Sequence, residues 1–177
     1  MMSAAVAALK KPSAAIAASL PAGLALGRQY QQTLVLLGQA HAQFLSVIAD
    51  QLDRSGDSSI NSVQALLLFN LGDQEMTVGN LGTKGHYLGA NVSHNLRKLV
   101  EAGYIHRERS EPDRRVVLVR PTSKGVAVHD ILQELFERHL SSIESVGNVG
   151  SCDLNELNIT LKRMQRFWFD QVRFRVQ

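Results

Sequence analysis

The 177-residue sequence predicts a mainly α fold with one small β-hairpin (α+β), the hairpin interrupting a run of amphipathic helices. Three observations lead there. Apolar residues recur at 3–4 spacing in several separate segments, the signature of helices that bury one face. A β-branched run (Val116, Val117, Val119) is bracketed by turn chemistry, Pro112-Asp113 before it and Pro121-Thr122-Ser123 after it. Basic charge gathers around that run. Between Lys84 and Lys124, nine Lys/Arg stand against four Asp/Glu, whereas the rest of the chain has ten against twelve.

The length suits one domain with a sizeable core, and 45% hydrophobic with 20% charged residues is an ordinary globular composition. No apolar run approaches the roughly 18 residues that span a bilayer. The opening "MMSAAVAALKKPSAAIAASLPAG" resembles a signal peptide superficially, but no basic residue precedes its apolar part and Lys10-Lys11-Pro12 interrupts it. Residues 1–27 read as an Ala-rich arm, disordered or partly helical, in a cytoplasmic protein. The single cysteine, Cys152, excludes an internal disulfide and suits a reducing compartment.

In order, Leu34, Leu37, Phe44, Ile48 and Leu52 form one stripe of a long first helix within residues 28–56. "DRSGDSS" is a turn whose Ser58 or Ser59 can cap the next helix, and Gly72 ends that helix after Val63, Leu66, Leu67 and Phe69. "MTVGNLG" is Gly-rich, so a short helical segment capped by Thr77 is expected. "ANVSHNLRKLVEAGYI" places Val92, Leu96, Leu99 and Val100 on one helical face and Ser93, His94, Asn95, Arg97 and Lys98 on the other, with Gly103 as C-cap. "YIHRERS" and "RRVVLVR" read as two strands joined by "EPD". Ser123 can cap a helix to about Ser145, burying Val128, Leu132, Leu135, Phe136 and Ile143. "DLNE" looks like a capping box with Asp153 as the cap of a last helix, which carries Leu157, Leu161, Met164, Trp168 and Val172.

The order α-α-α-α-β-β-α-α, with basic excess on the fourth helix and the hairpin, is that of a winged helix-turn-helix, in which the second helix of the pair enters the major groove. Residues 57–125 form that lobe; residues 28–56 and 126–177 supply N- and C-terminal helices for dimerisation. The string "TVGNLGTKGHYLGANVSHNLRKLVEAGYIHRERSEPDRRVVLVRPTSKG" resembles the DNA-binding core of MarR-family regulators (multiple antibiotic resistance regulators). Val92-Ser93, Leu99, Gly103 and Ile105 match the recognition-helix pattern. Asp113 and Arg115 match the D-x-R signature of the wing, and Pro121-Thr122 with Gly125 stands at its closing "LT..G". The resemblance spans roughly residues 60–125 by motif. Gly82 and "KGHYLGA" depart from the family pattern and imply an atypical turn: either one that brings His86 or Tyr87 to the DNA, or a helix pair that stays loose until DNA binds.

The resemblance implies that Arg115 inserts into the minor groove, with Asp113 orienting it and Arg114 beside it. A narrow A·T-rich groove attracts a weakly hydrated guanidinium, and a carboxylate two residues away can hold it by charge-assisted hydrogen bonds. Asn95 and Arg97 suit base reading, Ser93 and His94 reach base edges or phosphates, and Lys98 and Lys84 suit phosphates. One such lobe binds too weakly to select an operator, so a homodimer on a pseudo-palindromic double-stranded site is expected. Phe167, Phe169 and Phe174 lie off the main stripe of the last helix, which therefore needs more than one partner.

The commonest family mechanism, repression released by a small aromatic or phenolic effector, implies a pocket near His41 and Gln64. No cofactor or metal is expected, because the six histidines show no HExxH and no ligand spacing. His129 and His139 are too far apart on one helix to share an ion. Catalysis finds no support. The alternatives are a winged-helix module that binds protein, and a redox sensor acting through Cys152 near a helix N-terminus.

Overall fold

A computed structural model describes residues 22–57, 59–84 and 89–174. In chain order these form α1 (Ala22–Arg54), α2 (Ser62–Leu71), β1 (Met76–Thr77), α3 (Val78–Lys84), α4 (Gly89–Glu101), β2 (Ile105–Arg109), β3 (Val117–Pro121), α5 (Ser123–Ser142) and α6 (Ser151–Phe174). The chain divides into two compact units, Met1–Val47 and Ile48–Gln177, and the division falls inside α1.

In the first unit α1 is exposed along its length: Leu34 and Phe44, expected on a buried stripe, are uncovered, and Leu37 is half-buried. Of that stripe only Ile48 and Leu52, in the second unit, are buried. Periodicity marked an apolar stripe along α1, and its N-terminal part is exposed. The helix also begins at Ala22, so part of the expected Ala-rich arm is helical, and residues 1–21 lie outside the described residues.

The second unit is built around α2, whose Ala65, Leu67, Leu68 and Leu71 are all buried. Leu68 and Leu71 displace Leu66 and Phe69 as the deepest positions, because this helix is packed on several sides and has no single wet face. Its cap is Asn61, not Ser58 or Ser59. Asn61 Oδ1 accepts from the Gln64 N–H at 2.9 Å, and Gln64 Oε1 accepts from the Asn61 N–H at 3.0 Å, a reciprocal capping box. Ser59 is unavailable because its hydroxyl is engaged by Asp57 and Tyr104; Ser58 lies outside the described residues.

A two-residue strand that the sequence reading missed, β1, pairs with β3 and completes an antiparallel sheet of order β1-β3-β2. Two residues are too short to show alternation. Thr77 nevertheless caps α3 as expected, its Oγ1 accepting from Asn80 N–H at 3.0 Å. In the β2–β3 ladder Ile105 faces Pro121, Arg107 faces Val119 and Arg109 faces Val117. The connection is longer than "EPD", since residues 110–116 lie outside both strands.

Two further ends differ from expectation. Thr122, not Ser123, caps α5, and α6 starts at Ser151, ahead of the expected cap. Asp153 sits in the first turn of α6 and reaches back to accept from the Gly150 N–H at 2.8 Å. A carboxylate three residues inside a helix makes the return half of a capping box, which from sequence alone looks like the cap itself. Val128, Leu132 and Leu135 are buried on α5, while Phe136 and Ile143 are half-buried.

The junction between α4, the sheet and α5 is tight. Gly103, at φ 76°, lets α4 end in a Schellman turn: Gly103 N–H donates to Val100 at 3.0 Å and Tyr104 N–H to Leu99 at 2.8 Å. Thr122 ties α5 to this turn, donating from Oγ1 to the Gly103 carbonyl at 2.8 Å and from its N–H to the Tyr104 carbonyl at 3.0 Å. Gly125 lies directly against that same Tyr104 carbonyl, where a Cβ would collide with backbone. Gly125→Ala is therefore expected to destabilise the fold by about 1–3 kcal/mol, seen as a lowered midpoint in urea unfolding; an unchanged midpoint would refute this account of the junction.

Candidate nucleic-acid interface

Helix α4 buries Val92, Leu96 and Leu99 and exposes Ser93, His94, Arg97 and Lys98. The helical phase that creates the buried stripe sets what is offered outward. Ser93, His94 and Arg97 share one exposed strip, whereas Asn95 is half-buried at the edge of the packed face. Arg97 lies between Glu101, at 3.8 Å, and His94 Nδ1, at 3.5 Å. Exposed pairs of this kind are worth about 0–1 kcal/mol, so Arg97 can leave them for a stronger acceptor. Lys98 stands to one side, lining an open depression of about 330 Å3 with Ser59, Ile60, Asn61, Gln64 and Ala102. Lys84 is exposed at the end of α3, and His86 and Tyr87 lie outside the described residues.

At the wing, the Ser110 N–H donates to Val116 O at 3.0 Å and the Val116 N–H to Asp113 O at 2.9 Å. The second bond closes a β-turn with Arg114 and Arg115 at its two central positions, so both side chains are exposed. Asp113 works on the backbone: its Oδ1 accepts from the Arg115 N–H at 3.0 Å. The expectation that its carboxylate grips the Arg115 guanidinium is thus replaced by an Asx-turn, in which a short polar side chain holds its own loop. Among the described residues Asp113 makes no ion pair with Arg115.

One cluster was missed. The Tyr104 side chain is fully buried, and its hydroxyl lies 2.6 and 2.7 Å from the two Asp57 carboxylate oxygens, to which it donates. Ser59 Oγ is 2.7 Å from Asp57 Oδ1 and also contacts the Tyr104 hydroxyl. Lys124 Nζ sits 3.9 Å from the Tyr104 ring centre and 3.4 Å from the Ala102 carbonyl. Lys124, counted in the basic excess, therefore serves the junction behind α4. The available signal was a tyrosine straight after a helix-ending glycine, whose buried hydroxyl needs a partner. The partner is 47 positions away and has no local signature.

The remaining candidates are dispersed. His41 is exposed in the first unit; Gln64 is buried in the second and held in the α2 capping box. None of the residues of α6 is buried: Leu157 and Val172 are exposed, and Leu161, Met164 and Trp168 are half-buried. Phe167, Phe169 and Phe174 are exposed as well, as is Cys152 in the first turn. Among the described residues no group of three His, Cys, Asp or Glu is placed to hold a metal, and no helix is long and apolar enough to cross a membrane.

Residues 60–125, spanning α2 to the start of α5, match the family described as "Winged helix DNA-binding domain". This lobe has the winged-helix fold. Over a longer span the chain is 29% identical across 148 residues, 82% of this chain and 74% of the other, to the exopolysaccharide II synthesis transcriptional activator ExpG of Rhizobium meliloti. Its fold is similar to that of Streptococcus pneumoniae FabT in complex with DNA, with a TM-score of 0.62 and 22% identity over 80% of this chain and 98% of that one. It is also similar to AbsC, a MarR family transcriptional regulator from Streptomyces coelicolor, with a TM-score of 0.61 and 20% identity over 80% and 95% of the two chains. These likenesses show a winged-helix fold of the kind that the motif resemblance implied.

Burial alone would raise the Asp57 carboxyl, but hydrogen bonds from Tyr104 and Ser59, with the nearby Lys124 ammonium, hold it below its ordinary value of 3.8. A depressed folded-state value means stability that is present above 3.8 and lost as pH falls through the lower folded value. In urea unfolding near neutral pH, Asp57→Asn is expected to be less stable than wild type, with the gap closing below pH 3.8. Tyr104→Phe should cost about 1–2 kcal/mol at neutral pH; a pH-independent gap for Asp57→Asn would refute the assignment.

Proposed function

We propose that this chain is a cytoplasmic transcription regulator that binds a pseudo-palindromic duplex as a homodimer. The observation that carries the reading is the pairing of an exposed polar strip on α4 with a turn that holds Arg114 and Arg115 outward at the wing tip. Both features lie within the segment that matches a winged helix DNA-binding domain. In this reading α4 enters the major groove with Ser93, His94 and Arg97 foremost, Asn95 at its edge, and Lys98 and Lys84 on phosphates. Arg115 enters the minor groove, where the potential is most negative. Asp113 sets the shape of the loop that presents it.

The dimer reading is supported by apolar side chains that one chain leaves uncovered. Leu34 and Leu36 on α1, and Leu157, Phe167, Phe169 and Val172 on α6, are exposed. Stripes of this size on helices need partners, and a two-fold dimer supplies them while setting two recognition helices one helical turn of DNA apart. Leu161, Met164 and Trp168 share the face of Leu157 and Val172 on α6. Release from DNA by a small aromatic or phenolic effector belongs to the same proposal, through differential affinity for two spacings of the recognition helices. His41 is exposed for that role, whereas Gln64 would act from within the α2 cap, so its substitution would also loosen that helix.

Repression is the sign implied by the family's commonest mechanism. A second reading, activation, is favoured by one observation: the curated relative is named as a transcriptional activator. The same DNA contacts serve either sign.

Affinity for a duplex from the chain's own upstream region, measured as salt is raised, is expected to fall linearly in log–log form with a slope of about −0.9 per phosphate neutralised. Arg115→Ala should weaken it, Asp113→Ala should weaken it less, and Asp113→Asn should leave it nearly unchanged, since Asn preserves the Asx-turn. No binding at low salt by an intact dimer would make the wing a protein-docking surface. Sedimentation is expected to give a dimer, and Leu157→Asp with Val172→Asp a folded monomer. A monomeric wild type would sink the dimer reading.

A further inference from the structure

On the flank of the wing, Arg109, Ser110, Glu111 and Arg114 line one open depression of about 420 Å3. Arg109 ends β2 opposite Val117, and Arg114 takes the first central position of the Asp113–Val116 turn. The bond from Ser110 N–H to Val116 O folds the loop back, so that both arginines reach the same hollow. Arg109 also borders an adjoining depression of about 330 Å3, with Arg107, Glu108 and Val117. Arg109 and Arg114 are both exposed. Among the described residues neither guanidinium takes part in an ion pair, and Glu111, the one carboxylate lining the first depression, pairs with neither.

Two cationic residues and one carboxylate line this hollow, a local excess of positive charge that an anion with several acceptor oxygens balances. The planar fork of arginine matches the oxygens of a phosphate, and the Ser110 hydroxyl adds a further donor. Arg115, at the other central turn position, does not line the hollow. The two adjacent arginines therefore have different surroundings: Arg114 lines the hollow with Arg109, and Arg115 does not.

We infer that Arg109 and Arg114 together hold one backbone phosphodiester of duplex DNA, leaving Arg115 alone to enter the groove. This rests on the DNA-binding reading above and divides the labour within it. A phosphate contact fixes where the wing sits along the duplex without reading sequence. Glu111 opposes the clamp and sets an upper limit on its strength.

The test compares wild type, Arg109→Ala, Arg109→Lys, Glu111→Gln and Arg115→Ala on an upstream-region duplex and a random-sequence duplex across a salt series. Arg109→Ala is expected to weaken both duplexes by a similar factor, roughly threefold to tenfold at moderate salt. It should also reduce the salt slope by about 1 for each protomer engaged. Arg109→Lys should restore the slope, because it keeps the charge, and Glu111→Gln should strengthen binding to both duplexes. An unchanged slope in Arg109→Ala, or a loss confined to the upstream duplex, would overturn the clamp while leaving the DNA reading intact. Failure of the wild type to bind either duplex at low salt would overturn both.

Discussion

The end of α4 is where the backbone has most to satisfy at once. A helix that terminates inside a packed lobe must find acceptors and donors for its last turn, and here the chain must also start a strand immediately. Gly103 makes the reversal possible by taking a left-handed conformation, and the Schellman bonds satisfy the Leu99 and Val100 carbonyls. Thr122 then bonds the Gly103 and Tyr104 carbonyls from the first turn of α5, and Gly125 leaves room for that approach. The end of α4, the start of β2 and the first turn of α5 all meet at this junction. The Tyr104 hydroxyl adds a tie to Asp57 and Ser59, so the segment after α1 is bonded to the segment after α4. A fully buried phenol whose hydroxyl is satisfied by an ionised carboxylate favours one arrangement of those segments over neighbouring ones.

The outer surface follows from that inner order. Once Val92, Leu96 and Leu99 are seated, the helical repeat leaves Ser93, His94 and Arg97 facing out and turns Asn95 partly in. The wing uses a different device. Its tip is shaped by hydrogen bonds within the loop, with Asp113 using its carboxylate on a backbone N–H, and among the described residues the neighbouring guanidiniums make no ion pair. Charges kept unpaired at an exposed turn suit a polyanionic partner, because nothing must be broken before contact.

The apolar surface of α1 and α6 belongs to a different balance. The lobe closes its own core around α2, whereas α6 buries none of its residues and α1 buries only its C-terminal end. Exposed Leu, Val and Phe at helical spacing are unfavourable in water by about 25 cal/mol per Å2. In the dimer reading, that unfavourable surface is what holds two recognition helices at one separation, and it is the quantity an effector would act on.

The sequence by itself determined the helices of the lobe, the wing, the Gly72 and Gly103 ends, and the polar strip on α4, because these depend on periodicity and on residues close together in the chain. It placed Arg114 and Arg115 beside the hairpin turn but at the start of a strand, whereas the structure puts both inside the turn. Choices among equivalent neighbours were decided by tertiary structure. Asn61 caps α2 because Ser59 is drawn to Tyr104, and Thr122 caps α5 because it also reaches Gly103. The strand β1 exists only because β3 offers it an edge. The Asp57–Tyr104 tie was invisible for the same reason: its two ends are 47 residues apart, and only the packed lobe brings them together. Local pattern specifies which surface an element offers; which partner meets it is set by contacts the pattern does not encode.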